Sequence, residues 1–305
     1  MFLQKTLKNQ VTFTGTGLHS GKETTMTLRP AEAGTGIIFH RIDVSPAISV
    51  EAIAANVVNT RLSTTIGKNG VVISTIEHLM AALHGCGIDN AHIDINGSEV
   101  PIMDGSAAAF VAGLQKAGSV TLTKARKFLI VKKPVSVVDG DKRITIIPSR
   151  YFKITFDMHF DHPAVASQSR HMEFSEKVFA DDYAPARTFG FLAEVEMLKA
   201  NGLALGGSLD NAVVIGDNGV INEEGLRFDD EFVRHKVLDS VGDLSLAGYY
   251  IFGHVKSYKS GHDLNHKLVK ELLKRTDCWK IAEYDSRENT PSFSLHLPEL
   301  MLQEA

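Results

Sequence analysis

Cysteine is nearly absent from this chain: its 305 residues include only Cys86 and Cys278, far apart and each without a second cysteine nearby. A disulfide framework and a thiolate zinc site are both excluded as organising features, so a bound metal would have to use nitrogen and oxygen ligands. Long apolar runs are missing as well, with nothing near the ~20 residues that cross a bilayer as a helix. The opening Met1-Phe-Leu-Gln-Lys-Thr6 lacks the charged-then-apolar layout of a secretory signal, and the expected location is the cytoplasm. There is no excess of positive charge either. A formal net charge of −4 argues against a general nucleic-acid binder, and no nucleic-acid partner is expected. The pair Gly206-Gly207 stands in neither a P-loop nor a GxGxxG pattern.

What is there is the composition of a folded globular protein, 44% hydrophobic and 22% charged, in a length sufficient for two cores. Histidine is plentiful at 13 residues, most of them expected to carry no chemistry. One stretch organises the rest. In Phe232-Val-Arg-His-Lys-Val-Leu-Asp-Ser-Val-Gly-Asp243 the apolar positions Phe232, Val233, Val237, Leu238 and Val241 fit a helix, which puts His235 and Asp239 on one face. An imidazole and a carboxylate one turn apart can share a metal ion. They do not complete a site: at least a third ligand has to come from elsewhere, and a catalytic ion needs an open position besides.

The first half opens with alternating stretches at Val11–Leu18, Thr24–Leu28 and Gly36–Arg41, which read as antiparallel sheet. His19 follows in the turn Leu18-His-Ser-Gly21, where a polar side chain can face a cleft. Residues 50 to 73 read as two further strands with Asn69-Gly70 as their hairpin turn. Ser74-Thr-Ile-Glu77 then matches a capping box, and Ile76, Leu79, Met80 and Leu83 give the apolar stripe of a short helix. Glu77 is thus a helix cap by its spacing, while Glu77-His78 also offers a third ligand with a base beside it. The strand Ala91–Ile95 follows, and Ser106 can cap an Ala-rich helix to about Gly118.

Val120 to Lys127, polar and basic, is the expected linker between an N-terminal domain, residues 1–122, and a C-terminal domain, residues 127–305. The second half reads as a hairpin turning at Asp139-Gly140, a long strand from Tyr151 to Phe160, and Ala186–Phe191 leading into a helix. A glycine-rich apolar segment follows, either an ordinary connection or a mobile lip. After the helix of the organising stretch come the strand Tyr249–Val255 and a helix opened by Ser260-Gly-His-Asp-Leu264. The order helix, strand, helix repeats that of residues 74–118. The expected fold class is therefore α+β, two similar two-layer sandwiches facing each other with a site between them. His262, at the start of the last helix, is either a capping residue or a general acid, and Asp243 is the candidate partner that would keep it protonated.

Six segments together resemble the UDP-3-O-acyl-N-acetylglucosamine deacetylase family, the zinc amidases of bacterial lipid A synthesis. They are Ile73–Leu79, Ile88–Ala91, Glu99–Ala107, Ala186–Phe191, His235–Asp239 and Gly261–His266, in family order over nearly the whole chain. The resemblance implies two domains, each a sheet packed on a pair of helices, with the active site at their junction and an insert at about 193–219 forming an acyl passage. It implies one catalytic Zn2+ held by His78, His235 and Asp239, with Glu77 as general base and His262 as general acid. Thr188 would stabilise the oxyanion and Asp243 would orient His262, while Lys236, Phe189, Phe191, Leu18, His19 and Ser63 would contact the substrate. The partner is then a small UDP-acyl-sugar and the protein a monomer, with room for peripheral membrane contact because the product carries a lipid.

Two other readings share the same residues. Two histidines and one carboxylate also define the facial triad of non-haem Fe(II) oxygenases, which sit in jelly-roll barrels. Alternatively the metal is structural and the chain only binds a sugar nucleotide. A structural ion is closed by four protein ligands.

Overall fold

The computed structural model describes residues 2–284. Alternation builds the first sheet: in Glu23–Pro30 the side chains of Thr24, Met26 and Leu28 are buried while their neighbours face outward. Its five strands run in the order Val11–Thr16, Glu23–Pro30, Ala91–Ile95, Ile37–Arg41, Ile48–Glu51, and only the contact between Ala91–Ile95 and Ile37–Arg41 is parallel. The region read as two strands holds a separate three-stranded sheet, Val57–Asn59, Thr65–Lys68 and Val71–Ile73. Its turn is the expected one, with Asn69 at φ 53° and Gly70 at φ 80°.

Helix α1, Glu77–Gly85, follows, and helix α2, Ala108–Ala117, lies on the strand Val11–Thr16 and against α1. The capping box expected at Ser74–Glu77 is not made. Ser74 pairs with Glu99 in a parallel bridge and its hydroxyl donates to the Ser98 carbonyl, so the helix starts two residues later than the box requires. The Glu77 carboxylate turns elsewhere and accepts the Thr64 amide at 3.0 Å. The N-cap of α2 is Ala107 and not the expected Ser106, whose Oγ accepts the Ala108 amide at 3.1 Å from one residue further out.

The expected linker is a strand. Ser119–Ala125 pairs antiparallel with Leu3–Leu7, because the chain's first residues provide it with an edge. Beyond it lies a seven-stranded sheet centred on Tyr250–Tyr258, which pairs parallel with Phe128–Val131 near its start and with Phe152–His159 further on. In Phe152–His159 the buried residues Phe152, Ile154, Phe156 and Met158 again alternate. A short helix α3, Glu176–Val178, and helix α4, Leu192–Ala200, precede helix α5, Glu231–Ser245, and helix α6, His262–Lys274. Helix α5 packs on Phe152–His159 and Ser167–Glu173, and α6 packs on Val135–Asp139 and Lys142–Ile147. The fold is mixed α+β with several sheets and six helices, and no barrel among the described residues.

The core runs continuously through the interface of α1 with α5. Gly242 sets that interface: a Cβ there would stand 2.0 Å from the Glu77 carbonyl oxygen. A mid-helix glycine costs about 1 kcal/mol relative to alanine. Here it lets α5 ride directly on the first turn of α1.

Candidate active site

That crossing brings together residues distant in sequence. Helix α1 contributes Glu77 and His78 from its first turn, and α5 contributes His235, Asp239 and Asp243 from successive turns of one face. Helix α6 contributes His262, its first residue. Glu77, His78, His235, Asp239 and Asp243 are each at most 4% exposed.

Asp239 Oδ1 lies 3.3 Å from His235 Nε2 and 3.5 Å from His78 Nε2. The three residues offer ligand atoms within 4.8 Å of one another, the one such grouping among the described residues. Four ligands at 2.0–2.1 Å around a tetrahedral ion stand about 3.3–3.4 Å apart, so these spacings suit a divalent cation. Asp239 Oδ1 is buried and accepts no hydrogen bond, which for a charged oxygen leaves a cation as its natural partner. His235 Nδ1 faces the Ala186 carbonyl at 3.0 Å, which fixes its proton there and turns the Nε2 lone pair toward the cluster. Burial pushes the His235 pKa down to about 3, so its imidazole is neutral. Burial opposes ionisation of Asp239, but its neighbours, the Lys236 ammonium among them, outweigh it and hold the carboxyl well below its usual range. His78 Nδ1 is buried without a partner.

Beside the cluster stands an imidazole between two carboxylates. His262 Nε2 is 3.9 Å from Glu77 Oε1, and its Nδ1 is 2.9 Å from Asp243 Oδ2. Burial alone would lower the imidazole pKa, yet Asp243 and Glu77 carry it up to about 10. Burial raises the Glu77 carboxyl above its ordinary value, with His262 and His78 opposing. Asp243 does hold His262, as its spacing suggested, and is itself held by the Thr64 hydroxyl and by Asn265 Nδ2 at 2.9 Å.

The family model for UDP-3-O-acyl N-acetylglycosamine deacetylase matches residues 4–274. This chain belongs to that family. It is similar to proteins named UDP-3-O-acyl-N-acetylglucosamine deacetylase from Geobacter sp. (strain M21), at 69% identity over the full length of both chains, and from Myxococcus xanthus, at 49% over 93% of this chain and 91% of the relative. Another, from Pseudomonas entomophila, is 46% identical over 95% of this chain and 97% of its own.

The other residues expected from the deacetylase resemblance stand in several places. Lys236 Nζ sits 5.5 Å above the Phe189 ring and 3.0 Å from Asp239 Oδ2, so Phe189 and Lys236 share one wall. Thr188 is half-buried just before the strand Phe189–Phe191, anchored by its backbone to the Gly105 carbonyl and the Val213 amide. Its hydroxyl makes no hydrogen bond to the cluster among the described residues. Phe191 packs 5.6 Å from Phe160 and 5.2 Å from His162, away from the histidine–aspartate group. Leu18 and His19 accept from the amides of Gly206 and Leu205 at 3.0 and 3.2 Å, which joins their turn to the 193–219 insert. Ser63 is buried next to Thr64. The insert exposes Met197, Leu205 and Leu209 at 58, 52 and 42%, an apolar surface that fits a lip.

Three groups escaped the sequence reading. Thr64 and Asn265 brace Asp243 from loop and helix positions that carry no local signal. Arg187, 2% exposed, donates through its amide and guanidinium to the fully buried Glu231, tying the segment of Thr188 to the start of α5. Gly242 did carry a signal, since a glycine inside a helical pattern marks close approach.

Proposed function

We propose that this chain hydrolyses the N-acetyl amide of UDP-3-O-acyl-N-acetylglucosamine, giving UDP-3-O-acyl-glucosamine and acetate, an early step of lipid A synthesis. Family membership supports the reaction. The unpartnered Asp239 Oδ1 facing two imidazole nitrogens beside the Glu77–His262 pair is the observation that carries the mechanism.

His78, His235 and Asp239 would hold Zn2+, three donors converging there among the described residues, and a catalytic ion would keep a further position for water. Bound there, zinc supplies Lewis acidity, lowering the pKa of water at the site to about 7 and polarising the acetyl carbonyl. Glu77, its carboxyl made more basic by burial and oriented by the Thr64 amide, takes the proton of the attacking water. As the carbonyl oxygen gains charge, the Thr188 hydroxyl donates to it, an interaction stronger in the transition state than in the ground state. His262 enters protonated because Asp243 holds its charge, and gives its proton to the departing glucosamine nitrogen. The C–N bond breaks to a neutral amine, and acetate leaves.

Lys236, Phe189, Phe191, Leu18, His19 and Ser63 line the substrate's path. The 3-O-acyl chain lies along the apolar insert, so its ester carbonyl stays away from the reacting water. The chain works as two domains, 1–122 and 127–305, with the site at their junction. We place it in the cytoplasm as a monomer that can touch the membrane surface. No helix among the described residues is long and apolar enough to cross a membrane.

The test is acetate release by metal-stripped protein titrated with Zn2+. Activity rising to a maximum near one zinc per chain is the expected result. Folded protein that releases no acetate at any zinc level would overturn the reading.

A further inference from the structure

Glu99 is a buried carboxylate that the mechanism above does not use. It is 2% exposed and pairs with no lysine or arginine among the described residues. Neutral donors satisfy it instead. Oε1 accepts the His19 amide at 2.8 Å and the Thr75 hydroxyl at 3.0 Å, and Oε2 accepts the Ser20 amide at 2.8 Å. An ionised group is costly to bury on neutral donors alone, so such an arrangement persists where it fixes something the fold by itself does not.

What it fixes are two separate segments. One is the Gly17–Gly21 turn, whose Leu18 and His19 carbonyls in turn hold Gly206 and Leu205 of the insert. The other is Thr75, at φ 57° a non-glycine residue in the left-handed region, two positions before Glu77. The turn is shaped to admit the carboxylate. A Cβ on Gly17 would lie 2.5 Å from Glu99 Oε2 and 2.4 Å from the Ser20 hydroxyl oxygen. Held this way, the His19 ring presents two buried nitrogens that have no partner. Burial lowers its pKa, Glu99 opposes that and His262 adds to it, and the net shift is downward, toward the neutral imidazole. A neutral imidazole with one free donor and one free acceptor suits a hydroxyl or carbonyl of a bound sugar.

We propose that Glu99 is a positioning residue for substrate: it clamps the Leu18–His19–Ser20 turn onto the segment that leads into α1, fixing the place of His19 and anchoring the acyl lip through the same turn. It acts through His19 and not on the reacting atoms. This inference rests on the deacetylase reading.

The test compares Glu99→Ala, Glu99→Gln and Glu99→Asp in the zinc-loaded full chain, alone and combined with His19→Ala. Glu99→Ala is expected to raise KM about ten- to hundredfold, the scale of a small misplacement, with kcat within about threefold and zinc content unchanged. Glu99→Asp, which keeps the charge, should recover part of the loss. The double variant Glu99→Ala with His19→Ala should be no worse than the worse single one, because both remove the same contact. If Glu99→Ala does not fold, Glu99→Gln decides the matter, a raised KM supporting the proposal. A wild-type KM in the folded variant, losses that multiply in the double variant, or a fall in kcat or zinc content without a change in KM would each overturn it. Absence of acetate release by the wild-type protein would instead overturn the deacetylase reading, and the inference with it.

Discussion

His78 and His84 stand on the same short helix, both buried, yet they are in opposite situations. His78 lies with His235 and Asp239, where a buried carboxylate oxygen and an imidazole nitrogen have no hydrogen-bond partner. His84, near the other end of α1, is packed among rings, stacked 4.3 Å from Tyr250 and close to Phe174 and Phe152. Arg126 covers Tyr250 at 4.2 Å and is itself paired with Asp89. One end of the helix gathers polar atoms that lack a partner; the other surrounds its imidazole with aromatic rings. Burial of a titratable group therefore does not by itself mark the candidate site in this molecule.

Breaking the front end should have the largest effect. Glu77→Ala and His262→Ala are each expected to lower kcat by about 10²–10⁴ while zinc stays bound, measured by acetate release and metal analysis. Zinc lost from Glu77→Ala would make that carboxylate a ligand and undo its assignment as base. At the back end, His84→Ala should cost about 2–4 kcal/mol of stability through lost ring packing, read from urea unfolding, with kcat of the folded fraction unchanged. Reduced kcat there would mean the two ends are not independent. Gly242→Ala tests what joins them: the added methyl must push α5 off Glu77, at about 1–3 kcal/mol, and kcat should fall together with stability. A stable, fully active Gly242→Ala protein would contradict the close crossing.

The two ends also differ in pH response. Burial, helped by Arg126, lowers the pKa of His84 to about 3, against 6.5 in the unfolded chain. The folded state then binds its proton less readily, so the contribution of His84 to stability is complete above pH 6.5 and is lost as pH falls from 6.5 toward 3. Between pH 7 and pH 5 this amounts to about 2 kcal/mol. His84→Phe should flatten that part of the stability profile, and an unchanged slope would remove His84 as its source. At the front, Asp243 raises the His262 pKa, so Asp243→Asn should move the alkaline limb of kcat/KM to lower pH and reduce kcat about tenfold. An unmoved limb would assign it to another group.

The elements were largely legible in order, because alternation and 3.6-residue stripes are local properties of the chain. Phe232 to Val241 declared α5, and Asn69-Gly70 declared its hairpin. The misreadings were tertiary in origin. Ser74–Glu77 has the spacing of a capping box, but pairing of Ser74 with Glu99 moves the helix start and frees the Glu77 carboxylate for the site. Val120–Lys127 has the polarity of a linker, and became a strand because Leu3–Leu7 offered it an edge. Thr64 and Asn265 were invisible as supports for Asp243, since neither is near it in sequence.

The sequence by itself determined which residue types were available for chemistry: nitrogen and oxygen ligands in place of thiolates, two ligands one helical turn apart, and a glutamate beside a histidine. It also determined the helices that carry them, because periodicity and side-chain spacing are written along the chain. Only the tertiary structure decided that α1 and α5 cross where Gly242 permits, bringing His78 to Asp239 and Glu77 to His262. Convergence of that kind depends on close packing between segments more than a hundred residues apart, and no local pattern encodes the distance between them.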